Sequence, residues 1–208
     1  MKGYLISVEG SDGSGKSTQL QNIIAYLQQK GVDLVVTREP GGTAVSEAIR
    51  ALLLDATYTE MTAKTEMLLY AASRAQHVEQ KIIPALQQGK VVVTDRFTDS
   101  SIAYQGYGRE LGDVVAKVNE IATGGCQPDL TIFLDLPPKQ GILRKKQEQN
   151  HTMDRVELEK LAFHEKVYAG YQTLYQAEPQ RICRIDASGS MESVFAEIQK
   201  QMDALLGF

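Results

Sequence analysis

The sequence has no tryptophan, two cysteines, three histidines and no long uncharged apolar run, and each shortage removes a class of protein. Cys126 and Cys183 lie far apart and cannot build a disulfide framework or the paired spacing of structural zinc sites, so both read as small buried hydrophobes. His77, His151 and His164 show no metal-ligating spacing, and no zinc is expected. A membrane-spanning helix needs about 20 consecutive apolar residues, and no run approaches that length. The stretch from Met1 to Glu9 lacks a signal peptide's apolar segment and cleavage site, which makes a cytoplasmic location the expectation. Neither sign of charge dominates: 22 basic against 26 acidic residues leave a net charge of −4, which provides no global field for nucleic acid. What is present is 208 residues, 43% of them hydrophobic, enough for one domain with a substantial core.

Five short apolar runs rich in β-branched residues read as strands, over 4–8, 34–37, 91–94, 130–134 and 182–185. Between the first two, Leu20, Ile23, Ile24 and Leu27 fall at i, i+3, i+4 and i+7, one face of a helix over 17–30 that Gly31 ends. Further helical patterns run over 45–54, 63–88 with a break near Pro84, 114–122, 139–147, 154–176 and 191–206. This alternation predicts an α/β fold: a doubly wound, five-stranded parallel sheet with helices on both faces. No repeat or Gly/Ser linker divides residues 1–208, so a single domain is expected, and the polar segment 145–152 is its one candidate for a mobile lid.

Directly after the first strand, Gly10, Ser11, Asp12, Gly13, Ser14, Gly15, Lys16 and Ser17 satisfy G-x-x-x-x-G-K-[ST] and, with Thr18, open the first helix. Glycines let backbone N–H groups converge on phosphate oxygens, and the helix N-terminus adds about half a positive charge. Lys16 would reach the terminal phosphates and the Ser17 hydroxyl would ligate Mg²⁺, so a nucleoside triphosphate such as ATP with Mg²⁺ is expected. A GTP-dependent switch would usually carry an Asn-Lys-x-Asp guanine reader, which does not occur at a strand end here. A motor would usually need a longer chain and a hydrophobic strand ending in Asp-Glu, whereas the strand-end acids here are Asp95 and Asp135. A kinase of a small phosphorylated acceptor remains. Two polyphosphate groups brought into contact repel and need cations between them. Arg38 and Arg96, placed after the second and third strands, stand where an open parallel sheet binds its ligands.

In that order and spacing, E-G-x-D-G-x-G-K-S-T, T-R-E-P-G-G-T, S-R-A-Q-H and D-R-F-x-D-S-S-x-A-Y-Q-G resemble the bacterial thymidylate kinases over nearly the whole chain. The resemblance implies transfer of the γ-phosphoryl of Mg-ATP to dTMP by a homodimer, with no nucleic-acid or membrane partner. It places Arg38 on the dTMP phosphate, Arg96 between acceptor and donor phosphates, Asp95 in the Mg²⁺ shell and Asp12 at the sugar 3′-hydroxyl. It assigns Tyr70 and Arg74 to the base, Tyr70 stacking on thymine, and Ser100, Ser101, Tyr104 and Gln105 to the nucleoside, Tyr104 crowding the 2′ position. Read from the residues alone, Tyr70 is equally a core aromatic, and Ser100 or Ser101 equally a helix N-cap. With Gly13 where one subtype has a P-loop arginine, the resemblance puts the catalytic cation on a lid at about 141–157. The lid departs from the family pattern in having Gln, Asn and His ahead of Asp154 and Arg155, and Arg144 is favoured over Arg155 and Lys146. The other readings are a kinase of another pyrimidine monophosphate, a deoxynucleoside kinase, and a module that binds ATP without turnover.

Overall fold

A computed structural model of the protein describes residues 3–147 and 153–208. Strands β1 (Tyr4–Glu9), β2 (Leu34–Arg38), β3 (Val91–Asp95), β4 (Leu130–Asp135) and β5 (Ile182–Asp186) are all parallel, in the order β2-β3-β1-β4-β5. Each runs one residue past its expected end. Glu9, Arg38 and Asp95 therefore close their strands at the carboxyl edge of the sheet, with Asp95 in register beside Val8 on one side and Arg38 on the other.

The period of two along β1 divides the core. Ile6 and Val8 pack with Ile23 and Leu27 of α1 (Lys16–Gln29) and with Ile198 and Met202 of α9 (Met191–Leu206). Leu5 points to the opposite face, toward the π-turn at Val78–Ile82 that continues α3 (Ala63–His77), and toward α4 (Ile83–Gln87). Phe133 of β4 meets α8 (Leu161–Ala177) on that same face. Because both faces are covered, the central strands are continuous apolar runs, each buried aliphatic side chain contributing about 1.5–3 kcal/mol. By the same alternation Glu9 is turned toward the α8 side and is fully buried.

The remaining helices are α2 (Ala44–Leu54), capped by the Thr43 hydroxyl, α5 (Thr98–Ser101) with a π-turn at Ile102–Gly108, α6 (Val114–Thr123) and α7 (Pro138–Lys146). The break expected near Pro84 is a π-turn at Val78–Ile82, which ends two residues before it. Three expectations are corrected. Ser100 and Ser101 do not cap a helix, since α5 begins at Thr98 and both serines turn their hydroxyls inward. The helix expected over 154–176 starts only at Leu161, because the Asp154 carboxylate accepts from the backbone N–H of Val156 and Glu157 at 2.9 Å each and closes a separate turn. Cys126 and Cys183 are partly rather than fully buried, at the margins of the two cores. Of the expected lid, residues 148–152, His151 among them, lie outside the described residues. Among the described residues no helix is long and apolar enough to cross a membrane.

Candidate functional site

The loop 10–17 leaves β1 and enters α1 pressed against α7. A Cβ on Gly13 would lie 2.1 Å from the Gly141 carbonyl oxygen, and Gly13 has φ +74°, so only glycine fits there. Lys16 is buried, and its Nζ donates to the Gly10 and Ser11 carbonyls at 3.0 Å each. Burial, with Arg96 acting in the same direction, brings its pKa down to about 8, although Asp12, Asp95 and Glu9 oppose the shift. Ser11 Oγ, Ser14 Oγ and Asp95 Oδ1 are buried without a hydrogen-bond partner. Buried polar atoms are rarely left unpaired, so three around one loop mark a place prepared for a polar ligand. Ser17 is exposed into the same space, and its hydroxyl together with the Asp95 carboxylate is the oxygen donor set that Mg²⁺ takes. The residues present therefore fit both phosphate groups and that cation.

Two cavities open at this edge of the sheet. The larger, about 820 Å³, is lined by residues 12–19, Asp95, Arg144, Lys145 and the turn from Gly189 to Met191. The smaller, about 90 Å³, is lined by Tyr70, Arg74, Ser100, Ser101, Tyr104, Gln105 and Val156 among others. Asp12, Arg50, Arg96 and Asp154 line both.

Arg96 stands at this junction with φ +68°, a left-handed conformation that a non-glycine residue holds only when its surroundings over-determine it. Its N–H donates to the Val8 carbonyl at 3.0 Å, and its own carbonyl accepts from Thr94 Oγ1 at 2.9 Å. One guanidinium nitrogen, Nη2, pairs with Asp12 Oδ1 at 2.7 Å and with the Tyr104 hydroxyl at 3.2 Å. The other, Nη1, donates to Gly10 O, Ser100 Oγ and Tyr171 Oη. Burial alone would raise the Asp12 carboxyl; Arg96, Lys16 and Lys145 overcome it and hold the pKa at about 2. Glu9 behaves oppositely: burial, reinforced by Asp99, raises it to about 7, while Ser100, Arg96 and Tyr171 pull it down. Burial also raises the phenols of Tyr70 and Tyr104, which stay protonated.

Arg74 is buried and committed. Nε donates to Glu39 Oε2 at 2.7 Å, Nη1 to Ser101 Oγ at 2.9 Å and Asn119 Oδ1 at 2.6 Å, and Nη2 to the Phe97 carbonyl at 3.0 Å. Glu39 takes His77 Nδ1 on its second oxygen at 2.9 Å, and His77 Nε2 lies 2.7 Å from Thr37 Oγ1. The T-R-E-P and S-R-A-Q-H segments thus meet at one buried carboxylate, gripped from positions i and i+3 of α3. Glu66, two turns earlier, does the same for the other wall of the small cavity. It accepts from Gln105 Nε2 at 2.9 Å and from Arg109 Nε and Nη2 at 3.1 and 2.9 Å, and pairs with Arg155 at 2.7 Å. That pairing holds the 154–158 turn against α3. Burial would raise Glu66, and these cations keep it low.

The structure does not bring Arg38 to the small cavity. Its guanidinium is half-exposed on a third cavity and donates to both oxygens of Glu47, at 3.1 and 2.9 Å. Arg50 of α2 lines the small cavity instead, its Nη1 donating to the Pro40 carbonyl at 2.8 Å. Arg144 lines the large cavity with its guanidinium engaged, Nη1 and Nη2 both donating to Ala187 O at 3.1 Å. Arg155 is turned away onto Leu53 O and Glu66, and Lys146 is exposed. Of the cations at the lid base, Lys145 is the one lining the large cavity near Asp12, where it is ion-paired with Glu157.

Sequence reasoning missed Arg50, Glu39, Asn119, Asp154, Glu9 and Tyr171. Arg50 reads as the solvated face of an amphipathic helix, and Asn119 and Tyr171 as ordinary helical residues. Glu9, Glu39 and Asp154 stand inside the segments that carry the resemblance, which was their one signal.

Comparison with known proteins adds the family. The model of the thymidylate kinase family matches residues 8–198. The thymidylate kinase of Lactobacillus delbrueckii subsp. bulgaricus is 54% identical over 198 residues, covering 94% of this chain and 93% of that protein. That of Geobacillus thermodenitrificans is 48% identical over 198 residues, covering 95% and 88%. The crystal structure of thymidylate kinase from Ehrlichia chaffeensis superposes with a TM-score of 0.79 at 30% identity, covering 98% of this chain and 99% of that one.

Proposed function

Because the chain belongs to the thymidylate kinase family and is a phosphotransferase that phosphorylates dTMP, we propose that Mg-ATP is its donor and that dTDP and ADP are its products, a step towards dTTP. The observation that carries this reading is the junction, where Asp12, Arg50, Arg96 and Asp154 line both cavities so that an acceptor phosphate and a donor phosphate would meet there.

In this reading the large cavity takes the triphosphate. The backbone of 10–17 holds its phosphates, Lys16 exchanges the Gly10 and Ser11 carbonyls for phosphate oxygens, and Arg144 and Ala187 bound the nucleoside end. Ser17 and Asp95 would hold Mg²⁺, which would supply neutralisation of charge on the phosphates. Tyr70, Arg74 and Gln105 form the base wall of the small cavity, while Tyr104 and Asp12 meet the sugar. Arg50 receives the acceptor phosphate, and Arg38 serves it only after leaving Glu47. Arg96 stands between the two phosphates. No general base is needed, because a phosphate monoester with a second pKa near 6 is already mostly ionised at neutral pH. The work left to the protein is positioning and neutralisation.

The test measures ADP release from Mg-ATP with dTMP, dUMP, UMP, CMP, dGMP and thymidine separately, beside a blank without acceptor. Turnover strongest with dTMP and absent with thymidine is expected. Equal turnover in the blank, or none with any acceptor, would leave an ATPase or a binding module.

The homodimer belongs to the same reading. Val45 and Leu52 of α2, Leu68 of α3 and Ile121 of α6 are large apolar side chains left 45–83% exposed on three helices that pack side by side. A second copy over this face would cover them. Light scattering should give twice the 22.9 kDa chain mass, and a monomer at micromolar concentration would remove the dimer from the proposal.

A further inference from the structure

Arg96 is held from two sides by different kinds of group. On the Asp12 side the partner is a charge. On the other, Nη1 meets Gly10 O at 3.1 Å, Ser100 Oγ at 3.2 Å and Tyr171 Oη at 3.3 Å. A hydroxyl has one hydrogen and two lone pairs. Ser100 gives its hydrogen to Glu9 Oε2 at 2.5 Å, and Tyr171 gives its own to the same oxygen at 2.9 Å. Ser100 Oγ and Tyr171 Oη also lie 2.9 Å from each other, so the two hydroxyls and the carboxylate form one network in which each hydroxyl still offers a lone pair to the donor-only guanidinium. The remaining oxygen, Glu9 Oε1, accepts from the N–H of Phe97, the residue after Arg96, at 2.7 Å. One buried carboxylate thus fixes the backbone beside the arginine and orients the acceptors beneath its side chain.

Tyr171 is the member of this bracket that comes from farthest away. It belongs to α8, while Glu9, Ser100 and Arg96 belong to the strand ends and α5. Its ring is immobilised: it stacks on Phe133 at 5.1 Å between centroids with 16° between planes, and meets Tyr104 edge-on at 6.4 Å. Only 2% of Tyr171 is exposed, so its hydroxyl cannot reach either cavity itself. Neither cavity is lined by it. Any part it plays in the reaction therefore runs through the groups it touches, Arg96 among them.

We propose that Tyr171 is a positioning residue for phosphoryl transfer: its hydroxyl, oriented by Glu9, holds Nη1 of Arg96 so that Nη2 stays aimed at the junction of the two cavities. This rests on the reading of Arg96 as the arginine between the phosphates. Without that hydroxyl Nη1 keeps Gly10 O and Ser100 Oγ but loses the one acceptor anchored on α8, so the guanidinium keeps its charge and its bond to Asp12 while its direction is less narrowly set. The loss falls on the transferring group more than on bound substrates, because an electrostatic contact stabilises a transition state only when its donors are already aimed at the developing charge.

The test is a double-mutant cycle read in kcat and KM. Tyr171→Phe keeps the ring and its stacking on Phe133 and removes only the hydroxyl. We expect kcat to fall about 10-fold, with KM for dTMP and for ATP within about two-fold of the parent. In an Arg96→Lys background the same change should cost less than about two-fold, since the group that the hydroxyl positions is gone. A merely structural role would lower thermal stability and leave kcat of the folded enzyme unchanged, or would cost the same in both backgrounds; either result overturns the proposal. Should Tyr171→Phe not fold, Glu9→Gln, which removes the charge that orients both hydroxyls, takes its place in the cycle: a kcat loss confined to the Arg96 background supports the proposal, and an equal loss in both overturns it. If Arg96→Lys itself leaves kcat within about two-fold of the parent, the reading of Arg96 fails, and the Tyr171 proposal with it. A large loss in Arg96→Lys with additive behaviour sinks the Tyr171 proposal alone.

Discussion

Arg96→Ala is expected to lower kcat by roughly 10³-fold or more while the variant still binds ATP, the range known for arginines that stabilise a transferring phosphoryl group. The reason lies in the junction. Two unit negative charges 4 Å apart repel by about 4 kcal/mol at an effective dielectric of 20, and a donor and an acceptor phosphate bring several such charges together. Arg96 is the cation that lines both cavities and is over-determined in position, by a left-handed backbone, an ion pair at 2.7 Å and a cation–π contact of 4.9 Å with Tyr104. Alanine removes the charge and also releases Asp12 to repel the incoming phosphates. Arg50, the other cation shared by the two cavities, is tied to Pro40 and cannot move in without losing that bond. Single-turnover kinetics at saturating dTMP and ATP check the prediction, with ATP affinity measured separately by calorimetry. A kcat within tenfold of the parent would mean that another cation, with Lys145 the first suspect, carries the neutralisation.

Arg74→Ala should have the largest effect on stability. It leaves Glu39, which is 4% exposed, buried with His77 as its remaining partner, and it strips Asn119 and Ser101 of their donor. Breaking a buried ion pair by removing one member costs about 3–5 kcal/mol, because an uncompensated charge stays behind. For a chain of this length each kcal/mol moves the unfolding temperature by about 2–4 °C, so a fall on the order of 10 °C is expected. The same change opens the base wall, and dTMP should weaken far more than ATP. Differential scanning calorimetry and ligand titration decide both halves. An unchanged melting temperature would refute the central place of the Glu39 cluster, and equal weakening of both nucleotides would remove Arg74 from the base.

Much of the molecule was legible before its structure because those parts are encoded locally. Continuous β-branched apolar runs with helical stretches between them announced the strands and their burial on both faces, and the glycine-rich turn at 10–17 announced the phosphate loop. The helix expected over 154–176 failed on chemistry that a periodicity cannot carry: Asp154 satisfies two backbone donors and closes its own turn, and Arg155 is drawn to Glu66, distant in sequence. Arg38 and Arg50 show the same limit. Both lie near the second strand, and only the Arg38–Glu47 pair on one side and the Pro40 carbonyl on the other decide which guanidinium faces the acceptor cavity. Likewise Arg144 reads as a free lid cation until Ala187 appears beside it.

Short runs of β-branched apolar residues, a period of 3.6 and the backbone freedom of a few glycines were enough to announce a parallel sheet, the phosphate loop and the residue types gathered at its edge. Which charges face a ligand and which face one another emerged only on folding. That choice depends on pairs such as Glu9 with Tyr171 and Glu66 with Arg155, brought within 3 Å only when strands and helices far apart in the chain pack together. Desolvation then makes each such pairing decisive, because a buried charge must find its partner or forfeit several kcal/mol.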